Sequence, residues 1–417
     1  MRRRRFVKTA GALTVVGVAG CLDGDEPGEG DDGNGDGGGG NGNDGNDGNG
    51  TNGEGERETN VVWEHGVGGR VDVARDGTVY GREEFTDEDG QGGVFALDAS
   101  DGDHRWTYGE TGGYTTYTAP VVDDAVYFGW ADDAIGSGTG SLHALETDGE
   151  ERWERDVGSV YDAPVVRDGT VYAGTDRGVV FAFDAEDGEQ LWNFEPFSDE
   201  DAPAPTSPSV EAVSAGIVYV TAEGALYALN AEDGDETWRY EGDDRLSTAE
   251  VADGTVYATL TGRVAAFADG EELWSHEVEG TNSWIRGVRH GNVYFRHSYD
   301  LHAVDAEDGD ELWSVGFGDH YSTAFDDETV YAGASDVTAF SSDGDEKWSV
   351  GLDDIEIKGI SPTDGEVRAV TEEGVYRIED GEVVWYVELP EAGVRSHLFG
   401  DEHVYVGTRE KVYAVSL

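Results

Sequence analysis

Cysteine occurs once, at position 21. No disulfide can form within the chain, and no site built from several thiolates can hold a metal. Lysine is almost absent too, limited to Lys8, Lys347, Lys358 and Lys411. With 27 basic residues against 90 acids the formal charge is −63. A nucleic-acid binder needs clustered cations to displace phosphate counterions, so nucleic acid is excluded as a partner. Long apolar runs are also missing. The one candidate, residues 10–20, is about half the roughly 20 residues that a membrane-spanning helix requires. What the chain does have is aromatic surface, with 11 Trp, 19 Tyr and 14 Phe. These are large burial units, enough for a substantial core.

The charge is unevenly spread. Residues 1–20 carry +5, residues 21–60 carry −11 and the remainder carries −57. Such a body repels itself, and only a short screening length, about 3 Å at 1 M salt, suppresses that repulsion. The lysine-poor, aspartate-rich composition resembles that of haloarchaeal proteins and implies adaptation to a very salty medium.

Three regions follow from composition. Residues 1–21 join a basic start, Arg2 to Arg5 and Lys8, to a short apolar stretch that ends at Cys21, the plan of an export signal. Arg3-Arg4-Arg5-Phe6-Val7-Lys8 resembles a twin-arginine signal, and Val18-Ala19-Gly20-Cys21 resembles a lipobox. The resemblance implies export, acylation of Cys21 and anchoring at the outer face of the cytoplasmic membrane, with the lipid as the only membrane contact. Residues 22–60 are Gly, Asn, Asp and Glu almost throughout. They cannot offset chain entropy by burial and read as a tether, with a root-mean-square reach of roughly 35 Å. Asn49-Gly50-Thr51 matches a glycosylation sequon. Asp32 to Gly37 imitates a calcium loop, but the closing acid position is Asn43. No metal site is expected.

From residue 61 to 417 the chain is periodic. Asp-Gly-x-x-x-Trp recurs eight times, ending on Trp106, Trp153, Trp192, Trp238, Trp274, Trp313, Trp348 and Trp385. Repeats a few tens of residues apart signal an array or propeller. Ahead of each Trp lie a Val-Tyr strand, such as Val79-Tyr80, and a strand apolar on both faces, such as Val94-Phe95-Ala96-Leu97. Val367-Arg368 is the exception to the Val-Tyr column. A short first strand, for instance Ala119 to Val122 or Ala163 to Val166, completes a four-stranded antiparallel unit. The segment around Trp63 is a fourth strand lacking the other three, and residues 397–417 are three strands lacking the fourth. Joined, they make a ninth unit. The expected fold is an all-β propeller of nine blades, closed by strands from both termini.

Ala96-Leu97-Asp98-Ala99-Ser100-Asp101-Gly102…Trp106, and the matching runs ending on Trp192, Trp238 and Trp313, resemble the tryptophan-docking repeat of pyrroloquinoline-quinone (PQQ) proteins. Size and lipobox are similar to BamB-like lipoproteins, the lipoprotein subunit of an outer-membrane assembly machine. That family usually has eight blades, one fewer than this sequence shows. The resemblance implies a binding scaffold. The competing readings are a PQQ-dependent or other small-molecule oxidoreductase and a passive structural component of the envelope. Quinoprotein dehydrogenases are longer chains with a roof over the cofactor, and no insertion here would supply one. No cofactor, PQQ included, and no catalytic residue is therefore expected, and the protein is read as a monomer. His143 and His302 fall in a column otherwise held by aromatic packing residues such as Phe95, Phe181 and Tyr227, and are read as packing groups.

Ten residues before each Val-Tyr tyrosine, or its stand-in, the chain enters its innermost strand. That column contains Arg70, Tyr117, Trp284, Tyr321, Lys358 and Arg395. Lys358, Arg395 and Arg70 belong to consecutive units once the ring closes. With 21 basic residues against 78 acids in residues 61–417, such an arc has two readings: counter-charges that relieve repulsion, or a site for an anionic or aromatic-rich ligand or protein partner. Folding is expected to require molar salt, and circular dichroism across a salt series checks it. A cooperative fold at low millimolar salt would overturn the screening argument.

Overall fold

Between Val71 and Tyr80 the chain reverses at Asp76-Gly77, where φ is 50° and 72°, the geometry of a two-residue hairpin turn whose twist matches its strands. The same pair of positive values recurs at Asp168-Gly169, Ala215-Gly216, Asp253-Gly254 and His290-Gly291. Each of these turns joins the first and second strands of a unit. The third strand is buried on both faces, as in Val94–Asp98 and Gly140–Leu145. The fourth carries the tryptophan. In the computed structural model these units form nine antiparallel sheets, the blades of one β-propeller, and the described residues contain no helix.

The structure describes residues 60–417 except 84–92, 110–114, 133–138, 197–206, 223, 243–245, 281–282, 319–321, 353–355, 364 and 391–392. Cys21, the tether and the Asn49 sequon lie outside the described residues. Blades 1 to 8 run in chain order from Gly69–Tyr108 to Ile357–Glu388. Blade 9 takes three strands from residues 396–416 and its outermost strand from Val61–His65, with Val61 opposite Val415 and Trp63 opposite Ala414. The expected closure by both termini is therefore what forms. It is fastened to blade 1 by Gly69 N–H donating to Thr408 O (2.9 Å) and Val71 N–H donating to Ser396 Oγ (2.7 Å).

The short first strands differ from expectation. In blade 2 the innermost strand is split into Thr115–Tyr117 and Val121–Val122, and in blade 3 it begins at Val165. Pro120 and Pro164 lie outside the strands because proline has no N–H to give to a ladder.

What joins one blade to the next is the tryptophan. Trp63, Trp153, Trp192 and Trp274 each donate Nε1–H to the turn between third and fourth strands of the following blade, at Ala99, Ala185, Ala231 and Ala306 O, over 3.0–3.1 Å. Trp106 and Trp313 reach Thr147 and Ser342 O in turns shorter by one residue. Trp238 and Trp348 face two-residue turns, Asp269-Gly270 and Asp380-Gly381, in which the long turn's acceptor position has been deleted. Trp385 has no such turn opposite it, because the two strands that would flank it come from opposite ends of the chain. It packs instead against a cluster that includes Val404, Val406 and Val415 of blade 9. Within each blade but the eighth, the Val-Tyr tyrosine lies 5.7–6.1 Å from the tryptophan ring. Removing a tryptophan from water is worth on the order of 4–6 kcal/mol before chain entropy is subtracted.

Gly309 shows why the turn glycine is fixed. Its φ is +77°, and a Cβ would stand 2.5 Å from the Trp274 ring. Gly77 has nearly the same backbone, φ +72°, with nothing within 4 Å of its Cβ direction. Gly77→Ala should cost only the left-handed strain, about 1–2 kcal/mol, whereas Gly309→Ala should cost clearly more because the tryptophan must lift. Paired thermal melts at the same salt decide this. Equal losses would mean that backbone conformation alone, and not docking, demands the glycine.

Candidate functional site

The innermost strands of successive blades pack on one another, and those of blades 8, 9 and 1 do so consecutively. Lys358 and Arg70 are the second residues of their strands and Arg395 immediately precedes Ser396–Phe399, so the arc expected from the sequence lies at the starts of adjoining elements. Arg70 is opposite Arg82, which forks onto Asp72 with 3.0 and 2.8 Å hydrogen bonds. Arg395 is exposed, and its N–H is bonded to Gly407 O at 2.8 Å. Lys358 is clamped between Glu356 (3.0 Å) and Glu372 (2.9 Å). Burial works against its charge, but the bonds to Glu372 and Glu356 prevail and raise its pKa. Trp284, 38% exposed, carries the Arg296 guanidinium 5.4 Å from its ring centroid, a cation–π pair. Tyr117 lies on a strand, opposite Trp130, with its side chain outside the described residues, and Tyr321 lies outside them altogether.

A second inward position was missed by counting. Two residues further along the same strands come Asp72, Glu211, Arg286, Thr323 and His397. Asp72, Glu211 and Arg286 are each the extra residue of a β-bulge, which re-aims a side chain. In blades 5 and 8 the bulge falls two residues earlier, at Ser247 and Lys358. The signal was available in the period-2 rule, since i and i+2 share a face. Reading that second column also brings in blade 4 through Glu211.

These inner residues carry unusual electrostatics. Burial raises the pKa of Asp162, partly opposed by its hydrogen bond to Ser209. Burial likewise raises that of Glu211; its bond from Thr221 Oγ1 (2.6 Å) opposes the shift, and the nearby Asp162 charge adds to it. Ser209 contacts both acids, tying blades 3 and 4 into one carboxyl pair. On blades 6 and 7, Arg286 Nε and Thr323 Oγ1 are buried without a hydrogen-bond partner among the described residues. Buried polar atoms of this kind are ones that a water molecule or a ligand group can satisfy. The inner wall thus has an acidic sector and a donor sector.

His143 and His302, outside the channel, behave as packing groups. His143 stacks on Phe128 and His302 on Phe295, at ring separations of 5.2 and 5.0 Å. Burial lowers the His302 pKa, and both of its ring nitrogens lack hydrogen-bond partners among the described residues. His143, Glu151 and Glu154 place ligand atoms within 4.8 Å of one another, but the imidazole is already engaged by Ser141 Oγ at 2.7 Å and Tyr108 Oη at 3.3 Å.

His397 is the inner residue with a readable titration. Burial pushes its pKa down to about 4, and its ring lies so close to Gly359 that a Cβ there would collide with Nε2. Stability held by the neutral ring is complete above the free histidine value near 6.5. It falls as pH drops from there toward 4 and levels off below, for a total of roughly 3 kcal/mol at most. The raised acids run the other way, since protonating them as pH falls relieves their burial. The comparison is therefore of wild type with His397→Gln. The variant should lose less stability than wild type between pH 6.5 and 4 in thermal melts, and identical slopes would place the ring in free contact with water.

Known proteins bear on this site. The profile of the family described as outer membrane protein assembly factor BamB matches residues 133–258 and 260–354, more than half of the chain. Outer membrane protein assembly factor BamB of Yersinia pestis is 28% identical over 248 residues, covering 54% of this chain and 62% of that relative. Among solved structures, BamB from Moraxella catarrhalis superposes with a TM-score of 0.50 at 18% identity, covering 73% of this chain and 98% of that one. The computationally designed Ika8 protein gives 0.53 at 18% identity, covering 71% and 94%. Saccharomyces cerevisiae Sqt1 gives 0.52 at 11% identity, covering 86% and 99%. At these identities the structures share a fold with the chain and nothing more. The repeat, the docking tryptophans and the profile together place this chain, a nine-bladed propeller, in the outer membrane protein assembly factor BamB family.

Proposed function

We propose that this chain is a non-catalytic binding scaffold, exported, held at the outer face of the membrane by lipid on Cys21 and suited to a salty medium. It would capture a protein partner or an anionic ligand at the end of the channel where the innermost strands begin. The observation that carries this reading is internal to the chain. Its copies agree where blades pack, in a tryptophan column common to all nine and in tyrosine, alanine and glycine columns each kept in eight, and they diverge where the innermost strands begin. Arg70, Trp284, Lys358 and Arg395 occupy one position of the repeat with different chemistries. A fold that only filled space would need no such variety. The description of the Yersinia pestis relative as an assembly factor supports a scaffold role, as does the lipobox.

The members of the arc differ in what they can contribute. Lys358 already holds two carboxylates, so its loss is expected to cost stability by leaving Glu356 and Glu372 facing each other. Arg70 and Arg395 would carry the recognition by exchanging contacts they already make for those of the ligand. Affinity capture from solubilised membranes at native salt should lose at least tenfold in recovered partner on changing Arg70 and Arg395 together to Gln, with the melting temperature within a few degrees of the parent. Retained capture would assign the arc to charge relief. Cys21→Ser should move the protein into the medium or block its processing, and a variant that stays membrane-bound and normally cut would exclude the anchor.

A further inference from the structure

The outermost strand of blade 8, Glu382–Glu388, differs from the other eight. Its sequence is Glu-Val-Val-Trp-Tyr-Val-Glu, with five uncharged apolar residues in a row. Every other blade follows its tryptophan with a polar residue, as at Thr107, Glu154, Asn193 and Arg239 in the first four. Blade 8 has Tyr386 there. Val383, Val384 and Tyr386 are 41%, 49% and 41% exposed. Concentrated, strongly excluded salts make such exposure costlier, so a chain of this charge gains nothing structural from it.

The strand is also an open edge. It pairs with Gly374–Glu379 on one side and with no strand on the other among the described residues. Proteins blunt such edges with charge, and blades 1, 2 and 7 do so with Arg105, Arg152 and Lys347 in the residue before the tryptophan. Blades 3, 5, 6 and 9 have Leu191, Leu273, Leu312 and Val62 there and blade 8 has Val384, so what sets blade 8 apart is that Val383 and Tyr386 are exposed and apolar as well. All nine outermost strands contain a bulge at this position, so the bulge does not distinguish blade 8. Beyond it, Trp385 to Glu388 stay in regular register with Arg377, Tyr376, Val375 and Gly374.

The edge is held stiff from beneath. Tyr386 packs on Tyr376 with centroids 4.4 Å apart. The residues that break the repeat in this blade, Arg368 and Arg377, are both bonded to Glu366, at 3.0 and 2.9 Å. Arg368 also donates to Gly400 O of blade 9 at 2.8 Å. A preorganised edge loses little freedom when a strand is added.

We infer that the outermost strand of blade 8 is a docking edge that accepts an extended segment of another protein as a fifth strand, apolar in alternate positions and bearing Lys or Arg at both ends. Main-chain hydrogen bonds supply affinity, and the exposed valines and Tyr386 take the apolar side chains. The flanking Glu382 and Glu388 select the basic ends across a cross-strand separation of about 5 Å. A second copy of this chain does not fit. Full antiparallel self-pairing sets Glu382 against Glu388, and each body carries −57. This inference is independent of the channel arc.

The test uses a fluorescein-labelled synthetic peptide, Lys-Val-Thr-Val-Thr-Val-Thr-Val-Lys, titrated by anisotropy against the full chain at its working salt. Saturable binding is expected. It should weaken at least tenfold for the double variant Val384→Thr, Tyr386→Ser, which puts a polar residue after the tryptophan as in the other blades; because Tyr386 also packs on Tyr376, binding is read well below the variant's own melting midpoint. A peptide N-methylated at alternate residues should not bind, and one with glutamates at its ends should bind several-fold more weakly. The inference is overturned by absence of binding, by equal binding of the double variant, or by equal binding of the methylated peptide, which would be apolar capture without strand pairing. Indifference to the end charges would remove the basic partner. Sedimentation showing a dimer that the double variant abolishes would assign the edge to a second copy.

Discussion

A tryptophan lying over the turn of the next blade is the contact on which this molecule depends. One sheet of four short strands buries too little to fold by itself, and the side chains between blades only become a core when neighbours are held in register. The indole does that holding. Its face covers the turn and its N–H ties to a turn carbonyl, as Trp153 does to Ala185, so one side chain fixes both the separation and the rotation of two sheets. The tyrosine beside it, such as Tyr127 against Trp153, fills the space behind the ring. Where the contact is weakened the chain compensates locally. Blade 8 lacks the tyrosine, and blade 9 lacks the turn that Trp385 would cover. There Arg368 crosses between the two blades to Gly400.

The same economy governs charge. Basic residues are rare, and few are left on bare surface. Arg152 holds Glu146 and Asp124, Arg263 holds Glu272, and Glu366 is shared by two arginines. Burial opposes the charge of Arg263, and its bonds to Glu272 and Tyr240 raise its pKa all the same. Isolated exposed pairs are worth little, but cations spent at blade junctions tie elements together as well as offsetting repulsion. The carboxyls of Asp162 and Glu211 are the counter-case: acids on the inner wall whose shifts show no cation among the described residues, where burial pushes their pKa up. An inner surface that tolerates that cost has properties which packing alone does not explain.

The blade count, the docking tryptophans and the use of both termini were legible in the sequence because each rests on a fixed register between residue types. Asp-Gly followed by Trp repeats with the spacing of a hairpin, and Trp63 without preceding strands matches residues 397–417 without a following one. The inner wall was less legible. A bulge inserts one residue, and it falls at Asp72 in blade 1 but two residues earlier, at Lys358, in blade 8. A single counted column therefore mixes residues with different aims. It reached Arg70, Lys358 and Arg395 and passed over Glu211, Arg286 and His397. The Arg368 exception was visible as a broken column. Its pairing with Glu366 and Arg377 was not, because that depends on which side chains meet across strands once the tyrosine is gone.

Closure by the first strand has a consequence for how the molecule comes into being. Within a blade, paired strands are near neighbours in sequence, so each hairpin can search for its partner quickly. The ion pair of Lys411 with Glu64 joins residues 347 positions apart. By loop-closure entropy, bringing such distant segments together costs roughly 2 kcal/mol more than closing a loop of about 40 residues. Contacts of that range slow folding. The ring therefore acquires a last step unlike all the others, and until it occurs blades 9 and 1 present uncovered apolar faces. The time spent in that open form, more than the strength of any blade, sets how exposed a newly made chain is to aggregation.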